Sequence, residues 1–458
     1  MAVKTIFPVT RVHEPLRVDV DIRDGKVVDA WISGLLFRGF EAMLRGRDPR
    51  DAALFTQRIC GICSSAHAVA ASMAQQQAFG VKPTPAGQQL TNLIFAADLI
   101  QNHLRHYYIL VLYDYVKAPD MPPYSPKTAG DYRLPTAINS KMLEHAKQGI
   151  EMSVRAHEMM AIFGAKAPHQ QTILPTGVTE TATAEQITSY RGVLRDIRNF
   201  VETIHMEDVL TIAKYYPEYY TIGAGYGNFF SYGAFPDAIT GQRVYQPGLI
   251  RSGGGVESLD IAHINQEIQY SWYLVENDEM KALPAPNSEK PDAYSWIKAP
   301  RYQGMPLECG PLARGFISGE YTRGISVLDR IIARAAELIT LCRLADRWLD
   351  ELIPNTPTKA GYSVPKSGSG IGLTDAMRGA LGHWFTIEDG RVKHYRIITP
   401  TSWNFSPRGD NGERGPVEEA LIGVPVANVD DLVEVGRVIR SFDPCLTCAI
   451  HMLEKKNC

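Results

Sequence analysis

The sequence predicts a mainly α protein with small β-hairpins, an α+β fold built on a bundle of long helices. Three observations lead there. Segments 88–116, 142–164, 184–215 and 325–352 carry apolar residues at three- and four-residue intervals, well beyond the length of an ordinary globular helix. Segments 8–34 and 379–398 instead read as hairpins closed by Asp-Gly turns. No linker of flexible composition and no repeat period divides the chain. One interwoven domain, 1–458, is therefore expected, although length alone suggests two or three.

The elements follow in order. In the first hairpin, Val9-Thr-Arg-Val-His-Glu-Pro and Leu16-Arg-Val-Asp-Val-Asp-Ile alternate, Arg23-Asp-Gly-Lys turns, and Val27-Val-Asp-Ala-Trp-Ile returns. A short helix at Phe37-Arg-Gly-Phe-Glu41 comes next. An alanine-rich helix then begins near His67 and runs to the Gly80-Val-Lys-Pro-Thr-Pro break. The four long segments form the bundle over 88–352, because helices of this length pack side by side and build sites where they face each other. Between the third and fourth, about 216–324 is turn-rich and aromatic and reads as short strands and loops. The second hairpin opens region 379–451, and a final helix over 430–442 leads to the closing motif.

Composition narrows the function. An apolar fraction of 45% and a charged fraction of 21% are those of a soluble globular protein. A net charge of −3 gives no reason to expect a surface for nucleic acid or an anionic membrane. The first residues lack a signal-peptide pattern, and no apolar run reaches the roughly 20 residues of a spanning helix. A cytoplasmic chain with no transmembrane segment of its own is expected, with export through a partner as the other route.

Seven cysteines, mostly in C-x-x-C pairs, argue against a disulfide framework and for metal or redox use. One pair lies at Arg58-Ile-Cys60-Gly-Ile-Cys63-Ser-Ser-Ala-His67. The other lies far downstream at Asp443-Pro-Cys445-Leu-Thr-Cys448-Ala-Ile-His451. Four thiolates are the ligand set of zinc ribbons and iron–sulfur clusters, and soft sulfur also suits nickel and iron. Structural zinc normally staples small modules, which a chain of this size does not need. Cys309 and Cys342 sit in apolar surroundings and read as inert buried thiols.

These two motifs resemble the paired signatures of nickel–iron hydrogenase large subunits. The resemblance runs over nearly the whole chain, through Phe37-Arg-Gly-Phe-Glu41, Arg47-Asp-Pro-Arg-Asp51, Ser295-Trp-Ile-Lys-Ala-Pro-Arg-Tyr302, Glu308-Cys-Gly-Pro-Leu-Ala-Arg314, Arg378-Gly-Ala-Leu and Pro400-Thr-Ser-Trp-Asn404, in order. It implies reversible, heterolytic cleavage of H2 into protons and electrons. Cys60 and Cys445 would be terminal thiolates on nickel. Cys63 and Cys448 would bridge nickel to an iron bearing one carbonyl and two cyanides. Arg378 would project its guanidinium over the open metal position, close to Asp443. His67 would donate toward a bridging sulfur or a cyanide, and Pro400 and Thr401 would surround the diatomic ligands. Glu41, the backbone carbonyl of Ile397 and His451 would hold a magnesium ion.

Beyond the two cysteine pairs no further iron–sulfur motif is present, and Gly368-Ser-Gly-Ile-Gly lacks the strand–helix context of a nucleotide loop. Electrons would leave through an iron–sulfur small subunit, with further electron-transfer subunits as an additional route. The resemblance also implies nickel-delivery proteins and a maturation protease that cuts after His451, making 452–458 a removable tail. Two positions depart from the family. The usual Arg-Ile-Glu-Gly-His-Leu is Arg11-Val-His13-Glu14-Pro15-Leu16 here, so His13, by register, or Glu14, through a bulge, would relay protons; on an extended strand only one of them can face nickel. Asn102 stands where an aspartate is usual, removing one charge near Arg378. Two other readings are a metal-free quinone-site scaffold of the respiratory-complex lineage, opposed by retention of all four cysteines, and a zinc-binding interaction protein.

Overall fold

The computed structural model describes residues 2–119, 121, 130–274 and 285–449. Strands β1 (Ala2–Ile6), β2 (Leu16–Arg23) and β3 (Lys26–Gly34) form one antiparallel sheet. The β2–β3 turn has Asp24 and Gly25 in left-handed conformation, the geometry that matches strand twist in a tight hairpin. The expected strand over Val9–Pro15 is absent. Arg11 (φ 57°) and Glu14 (φ 71°) break any extended run, and β1 pairs with β2 instead.

The helical bundle follows the apolar period. Helix α1 (Ser64–Phe79) is followed by α2 (Pro85–Arg105), which continues through a π turn, His106–Val111, and a 3-10 turn, Leu112–Asp114. Helix α3 spans Thr136–Gly164. It starts earlier than expected because its first turns are polar and largely exposed and carry no apolar stripe. Helices α4 (Ala184–Phe200) and α5 (Met206–Tyr215) are one run joined by a π turn, Val201–His205. The intervening 216–324 region holds short strands and helix α6 (Pro311–Ser318), and helix α7 (Val327–Glu351) closes the bundle.

The second hairpin has a third strand. β4 (Gly368–Ala376), β5 (Gly379–Glu388) and β6 (Arg391–Ile398) form an antiparallel meander. The Gly368-Ser-Gly-Ile-Gly stretch, set aside as a nucleotide loop, opens β4, and its glycines serve packing. A Cβ at Gly370 would lie 1.9 Å from the Ala74 carbonyl oxygen, and one at Gly372 would lie 1.8 Å from that of Ala70. A glycine strand against an alanine helix thus brings β4 and β5 onto α1 at backbone contact distance. Short helix α8 (Pro400–Asn404) follows, then α9 (Val433–Ser441). α9 starts later than expected because Leu432 is left-handed, with φ 50°. The main core cluster joins residues from β2 through α1, α2 and α7 to Cys445 and Cys448.

Candidate metal centre

Cys60 ends the 3-10 turn Gln57–Ile59 and Cys63 is the N-cap of α1. Cys445 precedes the short helix Leu446–Ala449, which contains Cys448. Folding brings the four sulfurs together. Cys60–Cys445 is 3.3 Å, Cys63–Cys448 3.1 Å and Cys445–Cys448 3.3 Å, and all four lie within 4.8 Å of one another, buried. A disulfide bond is about 2.05 Å, so the four are not disulfide-bonded and are spaced as ligands around a common centre. Among the described residues no other group of three or more His, Cys, Asp or Glu side chains is set to share a metal.

The thiols polarise one another. Hydrogen bonds from Cys445 and its neighbours hold Cys60 well below an ordinary thiol, and the hydrogen bond from Cys448 brings Cys445 down to about 6. Cys63 is pushed up, first by its hydrogen bond to Cys445, and Cys448 is pushed up by burial. Four sulfurs this close cannot all carry charge without a cation, and that is the electrostatic demand a metal meets.

Arg378 occupies the two-residue turn between β4 and β5. Its Nε donates to the Asp443 carbonyl (2.8 Å), and Nη2 donates to Asp443 Oδ1 (3.0 Å) and Asn102 Oδ1 (2.9 Å). Asn102 Nδ2 donates in turn to Asp443 Oδ2 at 3.0 Å. The amide therefore links both partners of the ion pair, where a second carboxylate would face Asp443. Burial opposes the guanidinium charge, but Asp443 and the thiolates raise its pKa above the usual arginine value. Nη1 is buried with no hydrogen-bond partner. Arg378 also lines a small cavity of about 10 Å³, together with Cys63, Cys448, His67, Pro400 and Thr401. Such space is about what one ordered water needs.

Other expected residues surround this cavity. Thr401 Oγ1 accepts from the Cys445 amide at 3.1 Å. His67 pairs through Nδ1 with His383 Nε2 (3.1 Å), and His383 Nδ1 meets the Tyr395 hydroxyl (2.8 Å). Burial lowers the His67 pKa to about 4, so its ring is neutral. Glu41 is fully buried, which raises its pKa; Oε1 accepts from the Ile397 amide (2.7 Å), and Oε2 has no hydrogen-bond partner and lies 3.6 Å from Lys298 Nζ. A buried carboxylate oxygen that accepts no hydrogen bond, beside the Ile397 backbone, fits a hard cation, with Lys298 as the neighbouring positive charge. His451 and the tail 452–458 lie outside the described residues.

The His13–Glu14 segment runs alongside the second cysteine pair, with His13 bridged to Cys445 through its backbone. Glu14 is left-handed although it precedes proline, so the two side chains do not alternate as on a strand. The His13 amide donates to the Pro444 carbonyl, and the Leu446 amide donates to the His13 carbonyl. Glu14 Oε2 accepts from the Thr447 amide at 3.2 Å, and Thr447 Oγ1 is 3.5 Å from Cys445 Sγ. Burial and the Cys445 charge raise the Glu14 pKa; burial and Arg378 lower that of His13, whose buried Nε2 has no partner.

Sequence reasoning missed several supports. Asp114 takes Arg440 bidentately, at 2.6 Å on both oxygens, and also pairs with Arg11; Arg440 donates to the Thr10 carbonyl at 3.0 Å. That node ties the His13–Glu14 segment to the helix leading to the second cysteine pair. Arg314 takes Glu337 bidentately and donates to the Ala376 carbonyl at 3.0 Å, next to Arg378. His383, Tyr395, Glu337 and Asp114 carry no motif, and only strand register and helix packing bring them in.

The fold and site define the ligand set of a redox metal centre: four buried cysteine sulfurs clustered together, with Cys63, Cys448 and the Arg378 guanidinium lining one small cavity. The pattern of the nickel-dependent hydrogenases matches residues 38–131, 121–324 and 318–451. The chain is 36% identical to the periplasmic [NiFeSe] hydrogenase large subunit of Desulfomicrobium baculatum, over 99% of this chain and 95% of that one. It is 28% identical to the hydrogenase-2 large chain of Escherichia coli K12, over 98% and 97%. A solved H2-activated [NiFeSe]-hydrogenase from Dm. baculatum superposes with a TM-score of 0.94 at 37% identity, covering 98% and 100%. The chain belongs to the nickel-dependent hydrogenase family, as a large subunit, whose function is the cleavage of H2. Where the Dm. baculatum relatives are named for selenium, this sequence has cysteine at all four candidate ligand positions.

Proposed function

We propose that Cys60 and Cys445 are terminal thiolates on nickel, and that Cys63 and Cys448 bridge it to an iron carrying one carbonyl and two cyanides. The observation that carries this is the clustering of four buried sulfurs within 4.8 Å beside an unpartnered guanidinium nitrogen, Arg378 Nη1. When bound, such a centre supplies the open coordination position and the redox change needed for H2 ⇌ 2 H⁺ + 2 e⁻. The chain supplies the rest. Asp443 and Asn102 aim Arg378 so that Nη1 faces the reacting space as a fixed positive donor. Pro400 and Thr401, which line the cavity with Cys63 and Cys448, would surround the diatomic ligands. Cys445 Sγ is the first proton acceptor, and Glu14 Oε2 or His13 Nε2 takes the proton onward.

Glu41 and the Ile397 carbonyl, with His451, are proposed magnesium ligands. One interwoven domain is supported by a main core cluster that runs from the first hairpin to the second cysteine pair. The electrons require an iron–sulfur small subunit, and nickel delivery and a maturation protease complete the proposed partners. No helix among the described residues is long and apolar enough to cross a membrane. A cytoplasmic location, or export with a partner that carries the signal as the periplasmic name of the relative suggests, is proposed for the chain. Metal analysis with infrared spectroscopy tests the reading. Nickel and iron in near-equal amounts with carbonyl and cyanide bands are expected; zinc alone would overturn it.

A further inference from the structure

Three buried side chains run outward from the cavity in one hydrogen-bonded line. His67 is on α1, His383 on β5 and Tyr395 on β6, with 3.1 Å between His67 Nδ1 and His383 Nε2 and 2.8 Å between His383 Nδ1 and the Tyr395 oxygen. All three are at most 1% exposed. Each contact needs one proton, and a neutral imidazole has one N–H and one acceptor nitrogen. The orientation of the outermost member therefore fixes the whole line. If the phenol donates to His383 Nδ1, His383 carries its proton on Nε2 and gives it to His67 Nδ1. His67 is then protonated on Nε2, the nitrogen left to serve the cavity that its ring lines with Cys63 and Cys448. If the phenol accepts, every proton moves by one place and His67 offers the cavity a lone pair.

The surroundings select the first arrangement. Among the described residues the Tyr395 hydroxyl has His383 as its hydrogen-bond partner, and a buried hydroxyl hydrogen left undonated is costly. We infer that Tyr395 and His383 act as a tautomer lock, positioning residues that hold His67 with an N–H donor aimed at the anionic side of the metal centre. This inference rests on the proposed ligand set, since a donor is useful there only if thiolates or cyanide face it. The register that pairs His383 with Ile397 puts the lock on the same strand that meets Glu41, so β6 supports two parts of the site.

The test uses the full chain with 15N-labelled histidine, its His67 signals assigned by their loss in His67→Gln. The expected wild-type result is an Nε2–H ring. Tyr395→Phe keeps the ring packing but removes the phenol proton; it should mix the His67 tautomers and move or split the cyanide or carbonyl bands of the loaded enzyme. Loss of an outer-shell partner typically costs about 10–100-fold in metal affinity or activity, and a loss of about tenfold is expected here. His383→Gln offers an amide N–H to His67 Nδ1 without needing the phenol, so it should restore the tautomer, and Tyr395→Phe added to it should change nothing more. An Nδ1–H ring in wild type, or a Tyr395→Phe protein with unchanged His67 signals and bands, would overturn the lock. Absence of nickel and diatomic bands from wild type would instead strike the metal-centre reading, because the tautomer is measured in the metal-free chain as well.

Discussion

Glu337→Gln should destabilise the protein and slow it together. Glu337 is buried and meets Arg314 through two short contacts, 2.6 Å from Nε and 2.7 Å from Nη2, and it accepts from or pairs with His103 Nε2 at 2.8 Å. Burial alone would raise its pKa, yet Arg314 and His103 hold it at about 2 against an ordinary 4.5. At about 1.4 kcal/mol per pKa unit, the bound charge corresponds to about 3 kcal/mol. Breaking one side of a buried pair gives a comparable figure of about 3–5 kcal/mol. The sign is definite: a pKa depressed on folding stabilises fully above the unfolded value, and that contribution fades as pH falls from about 4.5 toward 2. Arg314 does not become wholly unpaired, because Asp375 remains at 3.2 Å, so the lower end of the range is expected. Activity should fall because Arg314 holds the Ala376 carbonyl (3.0 Å) and Met377 carbonyl (3.4 Å), which fix the turn carrying Arg378. A shift near 1 Å there is enough for about a 100-fold loss. The assay is urea denaturation of wild type and variant at pH 7 and at pH 3, with H2 oxidation at pH 7. A variant within about 1 kcal/mol of wild type at pH 7, or a difference that does not shrink at pH 3, would refute the reasoning.

Arg378→Lys cannot reproduce the fork that reaches Asp443 and Asn102; H2 oxidation should drop by about 100-fold or more, while nickel and iron contents stay at wild-type levels. His13→Ala and Glu14→Gln should differ: the variant that removes the true relay loses proton-coupled turnover, and full H2 oxidation in both nickel-loaded proteins would remove both residues from the path. Intact mass of the active protein should end at His451, and a metal-loaded, active chain that retains Cys458 would show maturation without cleavage.

Much of this protein was legible in its sequence. Four long helices announce themselves because one buried face repeats every 3.6 residues over many turns, and the starts and ends that slipped are those where the period fades, as at the exposed polar opening of α3 or left-handed Leu432. The cysteine pairs are legible because ligand chemistry fixes both residue type and spacing. What the sequence could not decide is distance between segments. It could not bring Glu14 Oε2 to the Thr447 amide, because that depends on a left-handed residue before proline that breaks the extended run. Nor could it bring Glu337 under Arg314, Asp114 between Arg11 and Arg440, or Tyr395 behind His383. Such pairings belong to no local pattern. They arise when packing, here an alanine helix seated on a glycine strand, sets registers that bring remote polar groups to the same buried point, where each must find a partner.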